Sequence, residues 1–251
     1  MERFFDVETG GPLRLELASH DGSRFRVLRR LGYRDPAYAE PFVVPADPAR
    51  FLTDLTSVPW FFAWLVPKTG HHLPAAVLHD GLVSDAPEEE SYAGPDVDRV
   101  EADRIFRDAM LHAGTPPVRS WLAWTAVTLP TAWRTLTPRW LWRLRVAGVL
   151  GLIAVLGTLA TLDLLDLVAV LPWMGERPWW AEVALGALFA VLVPLALSST
   201  WGRLWRAAAI GGVALALLLH VTAAVVAVYA VYLLAERLTA RALPRPRPSP
   251  S

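Results

Sequence analysis

The sequence predicts an α+β fold, with a small antiparallel sheet followed by a helical unit and then about three transmembrane α-helices. The first fifty residues alternate polar and apolar side chains, helical periodicity follows to about residue 130, and long uncharged apolar runs fill the C-terminal part. Hydrophobic residues make up 54% of the 251 residues and charged residues 19%. Since an ordinary soluble domain has about 25% charged residues, part of this chain is expected to lie in a membrane.

Three segments of the first fifty residues favour short strands. LRLEL (13–17) and FRVLRRL (25–31) flank Asp21-Gly22, a pair that is typical of a hairpin turn. FVV (42–44) has the β-branched and aromatic composition of a third strand. Together these segments predict the small antiparallel sheet.

Three helices are predicted after the sheet, over 73–83, 100–114 and 116–129. Pro74 suits the first turn of the first helix, where its missing N–H costs no hydrogen bond. The second helix is amphipathic, and Gly114 is expected to end it.

The C-terminal part contains three runs that suit membrane spans, which need about 20 apolar residues each. We predict transmembrane helices over 146–171, 179–198 and 207–235. The third run is the longest, because the 29 residues from Ala207 to Ala235 contain no charged side chain. These runs predict a multi-pass protein of the cell membrane.

Composition divides the chain into four regions. They are a soluble domain of unknown function (1–130), a basic and aromatic juxtamembrane connector (131–145), transmembrane helices (146–236) and a disordered tail rich in proline and arginine (237–251). Arginines cluster in the connector, and cytoplasmic flanks of membrane spans are enriched in such residues. The N-terminal domain is therefore expected in the cytoplasm, although the arginines of the tail point to the same side and conflict with an odd number of spans.

Composition also limits the partners. The chain has no cysteine, which excludes disulfides and cysteine-bearing zinc sites. Its formal net charge is zero, which is not the charge of a nucleic-acid-binding protein. The lipid bilayer is the expected partner, and the sequence identifies no protein partner.

One group of residues could carry chemistry. His79-Asp80 lies on the first predicted helix, and Glu101 and Asp103 begin the second. If the two helices pack antiparallel, one of the later carboxylates can accept from the His79 Nδ1–H and hold the ring as a base. Asp80 points about 100° away from its neighbour and could ligate a hard cation. The alternative is a structural hydrogen-bond network at a helix corner.

Other polar residues have two interpretations as well. Asp54 and Ser57 could belong to a site, or could supply turn and capping bonds in TDLTS (53–57). Asp163, Asp166 and His220 could form a relay for a transported ion within the spans. The favoured alternative is that the two aspartates lie among head groups and that His220 is hydrogen-bonded within the bundle, so an anchor is favoured over a transporter.

The run VVPADPARFLTDLTSVPWFFAWLVPKTGHHLPAAVLHD (43–80), followed by VEADRIFRDAM (100–110), resembles the domain-of-unknown-function family 1353. The resemblance covers about residues 1–130 and implies a small domain that is common in phages and prophages, with no established activity. Gly81 and Val83 stand where that family tends to have tyrosine. The family's usual form is also a soluble protein, so the membrane part is an addition.

A weaker similarity links the His-Asp helix and the following ADxxF helix to the phospholipase A-two group. It would imply that His79 activates water, that Asp80 binds Ca²⁺ and that Asp103 orients His79. The glycine-rich calcium loop of that group is missing, because residues 50–69 contain no glycine.

Three functions remain open from the sequence, and the third of them is transport by the spans through Asp163, Asp166 and His220. The first is a metal-assisted hydrolase that acts at the membrane, with His79 and Asp103 as catalytic residues, Asp80 as metal ligand, and Ca²⁺ as a possible cofactor. The second is a non-catalytic structural or interaction module tethered to the membrane.

Overall fold

The computed structural model describes residues 3–21, 24–55, 70–84, 91–175 and 177–242. Six short strands occupy its first part: β1 (Phe4–Asp6), β2 (Leu17–Ser19), β3 (Phe25–Val27), β4 (Leu31–Tyr33), β5 (Phe42–Val44) and β6 (Leu52–Thr53). They form two three-stranded antiparallel sheets, in the orders β1-β4-β5 and β2-β3-β6. The α+β class is confirmed, with two small sheets instead of one.

A hairpin and the third strand are present, but the hairpin strands differ from the prediction: β2 shares only Leu17 with the predicted segment 13–17, and β3 covers only 25–27 of the predicted 25–31. Strands β2 and β3 pair with Leu17 opposite Val27, and β5 covers the predicted FVV segment. Strands β1 and β6 have two or three residues each and were not predicted. They are strands because they pair with β4 and β3, and their own sequences are too short to show an alternation of polar and apolar residues. Gly32 of β4 lies opposite Phe5, where a Cβ would meet the aromatic ring at 2.2 Å.

In the described part of the chain, six α-helices follow: α1 (Leu73–Leu82), α2 (Arg99–His112), α3 (Pro117–Arg134), α4 (Arg139–Leu164), α5 (Trp179–Ser198) and α6 (Trp205–Ala242). The first three begin close to their predicted starts. Pro74 lies in the first turn of α1, and the Asp98 side chain caps α2 by accepting from the Glu101 backbone N–H at 2.8 Å.

One hydrophobic core joins the sheets to the first helices. Leu31, Phe42, Leu78, Ile105 and Met110 are fully buried in it. Helix α1 packs on α2 and on strands β4, β5 and β6. This packing fixes the inward faces of α1 and α2 relative to each other, and the candidate site lies between those faces.

Two helical stretches in the described residues are long and apolar enough to cross a membrane, not the three predicted. They are Arg139–Leu164 and Trp179–Val221. The second stretch contains α5 and the first part of α6, which a 3₁₀ turn (Ser199–Leu204) joins across a kink at Gly202. Gly202 in this turn has a φ of +54°, which favours glycine, and α5 packs against α6 and α4.

The helix ends also differ from the prediction. Helix α4 stops at Leu164 instead of continuing to residue 171, because Asp166 has a φ of +56° and Asp163 accepts backbone hydrogen bonds from the following loop. Helix α6 continues through residues 237–242, which were predicted to be disordered. The rest of the predicted tail, 243–251, lies outside the described residues.

Candidate functional site

Helices α1 and α2 bring His79 and Asp103 into direct contact. The His79 Nε2 lies 2.8 Å from the Asp103 Oδ1, and the two residues are only 3% and 1% exposed. A carboxylate can only accept a hydrogen bond, so Nε2 carries the proton. The prediction that the Nδ1–H makes this bond is therefore wrong, because the ring presents its other nitrogen to Asp103.

The second ring nitrogen of His79 is buried. Among the described residues, Nδ1 has no hydrogen-bond partner, and neither has the Asp103 Oδ2. The Phe106 ring lies against the imidazole, with 4.7 Å between centroids. An unprotonated Nδ1 held by a His-Asp pair is a base, but its burial separates it from bulk water.

Asp80 faces away from the pair, as its position one residue further along the helix predicts. The hydroxyl of the buried Thr53 on β6 donates to the Asp80 carboxylate, which joins α1 to the second sheet. Asp80 itself is partly exposed. Within the parts of the chain that the structure describes, no group of three or more histidine and carboxylate side chains is placed to hold a metal ion.

The remaining candidates do not join His79. Glu101 accepts from Arg104 at 2.7 Å and from the Tyr38 hydroxyl at 3.1 Å. Residues two apart on a helix lie about 200° apart around its axis, so Glu101 and Asp103 occupy different faces of α2. Asp54 is exposed, and Ser57 lies outside the described residues.

Glu101 belongs to an ion network that the sequence analysis missed. The Arg104 guanidinium lies 3.1 Å from Asp35, which is buried, and 2.8 Å from Asp108. Burial lowers the pKa of Arg104, but hydrogen bonds to Glu101 and Asp35 outweigh it and raise the pKa above its usual range. The spacing of Glu101, Arg104 and Asp108 along one helix was the available signal.

A second missed pair lies at the first sheet. The Arg29 guanidinium donates to both carboxylate oxygens of the buried Asp6, at 2.8 and 3.1 Å. This hydrogen bond, helped by others from Thr9, outweighs desolvation and holds the pKa of Asp6 well below its usual range. His79 belongs to neither network.

The three polar groups proposed as a transport relay do not converge. Asp163 accepts from the backbone N–H groups of Val170 and Leu171, both at 3.1 Å, so it holds the loop after α4. Asp166 is exposed. His220 instead contacts the Thr161 hydroxyl at 2.7 Å and lines a cavity that Asp163 does not reach.

Residues 25–127 match the family model described as "Protein of unknown function (DUF1353)". The chain is similar to this family over less than half of its length, and we call the matched segment the DUF1353 domain. The match extends from β3 into α3 and includes both residues of the buried His-Asp pair. No curated protein and no solved structure matches the chain significantly. The weaker similarity to the phospholipase A-two group has no support from these comparisons.

The DUF1353 domain of this chain has close packing at Gly81, one of its departures from the expected tyrosines. A Cβ at this position would lie 2.7 Å from the Val44 Cγ1 on β5. Helix α1 therefore approaches β5 too closely for a side chain at position 81. The glycine allows the contact that brings the His79 helix onto the sheet.

Proposed function

We propose that the chain is a membrane-anchored protein whose DUF1353 domain is tethered to the bilayer by its C-terminal helices. The exposure of those helices carries the proposal. Only 22% of the apolar window in Arg139–Leu164 and 11% of that in Trp179–Val221 is buried inside the protein. A core helix of a soluble protein is mostly buried, whereas these helices expose apolar surface that hydrocarbon would cover.

The exposed side chains have the distribution expected of membrane helices. Large apolar residues such as Leu152, Val155 and Leu192 are exposed along α4 and α5. Exposed tryptophans occur near helix starts, at Trp140 and Trp179, where amphipathic rings favour the membrane–water interface.

The DUF1353 domain lies directly against the apolar helices. Its last helix, α3, packs on both α4 and α6. A Cβ at Gly211 of α6 would lie 3.1 Å from the Thr125 methyl group, so these two helices approach closely. This contact supports a domain held at the bilayer surface, and the arginines before α4 favour the cytoplasmic side.

Membrane fractionation tests the tether. The full chain should stay in the membrane pellet after alkaline carbonate extraction, and a matched chain that ends at Arg134 should be released. An epitope at the N-terminus should resist protease added to intact cells and become sensitive after lysis. Release of the full chain by carbonate would contradict the tether, and digestion in intact cells would contradict the cytoplasmic orientation.

Within this tethered protein, we propose that the domain acts as a non-catalytic interaction module and that the His79–Asp103 pair is structural. The burial of both side chains supports this role. A hydrolase acting at the membrane is the second candidate, favoured by the Nε2–Oδ1 distance of 2.8 Å and by the partnerless Nδ1 among the described residues. Hydrolysis of mixed phospholipid vesicles by the purified protein, with Ca²⁺ or with EDTA, distinguishes the two when His79→Ala is measured beside it.

A further inference from the structure

A cavity of about 410 Å³ lies between α4, α5 and α6, away from the DUF1353 domain. Most of its walls are apolar, but Thr161, Glu182 and His220 also line it. Thr161 is in the last turn of α4 and Glu182 in the first turn of α5, so both lie next to the loop that joins these helices. His220 is hydrogen-bonded to Thr161, which places all three polar groups at the loop end of the cavity.

The opposite end of the cavity is apolar. Ile153 and Pro194 line it and lie close together, since a Cβ at Gly212 would be 2.8 Å from both side chains. Ile153 and Thr161 are eight residues apart on α4, or about 12 Å along the helix axis at 1.5 Å per residue. The cavity is therefore elongated, with a polar end and an apolar end.

Glu182 is a buried carboxylate in the first turn of α5. It is 6% exposed, and among the described residues its carboxylate forms no ion pair. It accepts from the Arg177 backbone N–H at 3.3 Å, which is long for such a bond. Because buried charges are normally paired, this carboxylate favours a positively charged ligand.

His220 supplies a second acceptor at the same end. The Thr161 hydroxyl has one proton, which it donates to the Gly157 carbonyl at 2.9 Å. With the hydroxyl proton on that bond, the 2.7 Å contact between Thr161 and His220 is donated by the His220 Nε2–H. In this tautomer of the neutral ring, Nδ1 is left as an acceptor and suits a ligand that donates hydrogen bonds.

The cavity is covered at its polar end and open on one side. Trp173 and Met174 of the loop line it, and Trp173 stacks on Phe189 with 4.4 Å between ring centroids. Leu217 and Val183 also line it and are about half exposed, at 55% and 46%. The opening therefore faces the apolar outside of the helices, where an alkyl chain can enter.

We propose that this cavity binds a single-chain amphiphile with an ammonium head group. The ammonium has three donors and no acceptor, and it would donate to Glu182 and to the His220 Nδ1. The alkyl chain would lie along the apolar walls towards Ile153 and Pro194. A volume of about 410 Å³ is near the lower end of ligand pockets, roughly 300–1,000 Å³, which suits one chain better than two.

Photo-crosslinking of the purified full chain in maltoside micelles tests the proposal. The probe is dodecylamine with a diazirine at its terminal carbon, compared with the alcohol and the carboxylate of the same length. The amine should label peptides that contain Ile153 or Pro194, and unlabelled dodecylamine should compete. Glu182→Gln should lower amine labelling at least about tenfold, the effect of losing a charge-assisted hydrogen bond, and should leave alcohol labelling unchanged.

Two further variants act as controls. Gly186→Leu places a side chain in the cavity and should abolish labelling by the amine, since Gly186 lines the wall next to Met174. Glu236→Gln removes an exposed carboxylate of α6 outside the cavity and should change nothing. If Gly186→Leu lowers the melting temperature, its loss of labelling could come from misfolding. The test then depends on Glu182→Gln, which changes the side chain with almost no change in its size.

Two outcomes would overturn the proposal. Equal labelling by the amine, the alcohol and the carboxylate would show that Glu182 selects no head group. Labelling that persists in Gly186→Leu would show that the probe binds the outer surface. Neither outcome bears on the membrane tether, which carbonate extraction tests separately.

Discussion

The His79 imidazole and the Asp103 carboxylate join the first two helices of the DUF1353 domain inside its core, with Nε2 and Oδ1 2.8 Å apart. The two residues are 24 positions apart in sequence and are both buried. A buried donor and a buried acceptor stabilise a fold only while both are present, because removing one leaves the other desolvated and unpaired. The pair therefore selects one packing arrangement of α1 on α2.

Removing both partners of this pair should destabilise the domain less than the two single removals added together. We expect Asp103→Ala to lower the free energy of unfolding by about 1–3 kcal/mol, the cost of a buried polar group without a partner. The double variant His79→Leu, Asp103→Leu should cost less than the sum of its single changes. Urea unfolding of the purified protein, followed by tryptophan fluorescence, measures both.

The control for this prediction is Glu101→Ala, which removes a partly exposed carboxylate from the same helix. Its effect should stay below about 1 kcal/mol, as for other exposed ion pairs. Strict additivity of the two leucine substitutions would contradict a coupled pair. Loss of vesicle hydrolysis in His79→Ala without loss of stability would favour the hydrolase instead.

The contact between His79 and Asp103 could be anticipated from the sequence, but its geometry could not. Pro74 and Asp98 mark the starts of the two helices, and the sequence shows such starts because they depend only on neighbouring residues. The nitrogen that His79 presents depends on ring orientation, and the ring lies against Phe106. That contact is tertiary, so helical spacing contains no information about it.

The strands and the membrane spans also show that tertiary contacts and backbone turns cannot be predicted from local sequence patterns. Strand β5 was predicted because its residues favour a strand, whereas β6 has two residues and exists only through its pairing with β3. The number of spans was overestimated because hydropathy identified two separate runs. The residues between them form a 3₁₀ turn with a left-handed Gly202, a backbone feature that hydropathy does not register.

Gly81→Ala should destabilise the DUF1353 domain although alanine favours helices. The new Cβ would lie 2.7 and 2.8 Å from the two methyl groups of Val44. We expect the overpacking to cost about 1–3 kcal/mol, more than the roughly 1 kcal/mol that alanine gains over glycine in a helix. Thermal unfolding measures the change, and Val44→Ala in the same chain should restore part of the loss.

Gly148→Ala provides the matched control for this substitution. Gly148 lies within α4, and a Cβ there would have no heavy atom within 4 Å. Its replacement should leave the melting temperature unchanged or raise it. Equal losses at the two glycines would mean that close packing against Val44 is not the cause.

The Asp6–Arg29 pair should make the free energy of unfolding depend on pH in the acidic range. The pKa of Asp6 is lowered chiefly by its hydrogen bond to Arg29, so the folded protein binds this proton less readily than the unfolded chain. The pair therefore stabilises the folded protein in full above about pH 4, which is the ordinary pKa of an aspartate. This stabilisation decreases as the pH falls towards the lowered pKa of Asp6. Unfolding midpoints of the protein and of Asp6→Asn between pH 2 and 7 should converge at the acidic end. Parallel curves would show that Asp6 contributes no pH dependence.

Asp163 should hold the loop that covers the cavity between α4, α5 and α6. Its carboxylate accepts from the backbone N–H groups of Val170, Leu171 and Gly175, and the loop then places Met174 against the cavity. Asp163→Ala removes all three acceptor contacts, so these amides should exchange with deuterium faster while the middle of α4 stays protected.

The control is Asp166→Asn, because asparagine tolerates the φ of +56° at this exposed position as well as aspartate does. Its exchange pattern should match that of the unchanged protein. Unchanged exchange in Asp163→Ala would mean that contacts of the loop other than these hydrogen bonds hold it. Faster exchange in that variant, together with weaker labelling by the alkylammonium probe, would show that Asp163 supports ligand binding through the loop that it holds and not by contact with the ligand.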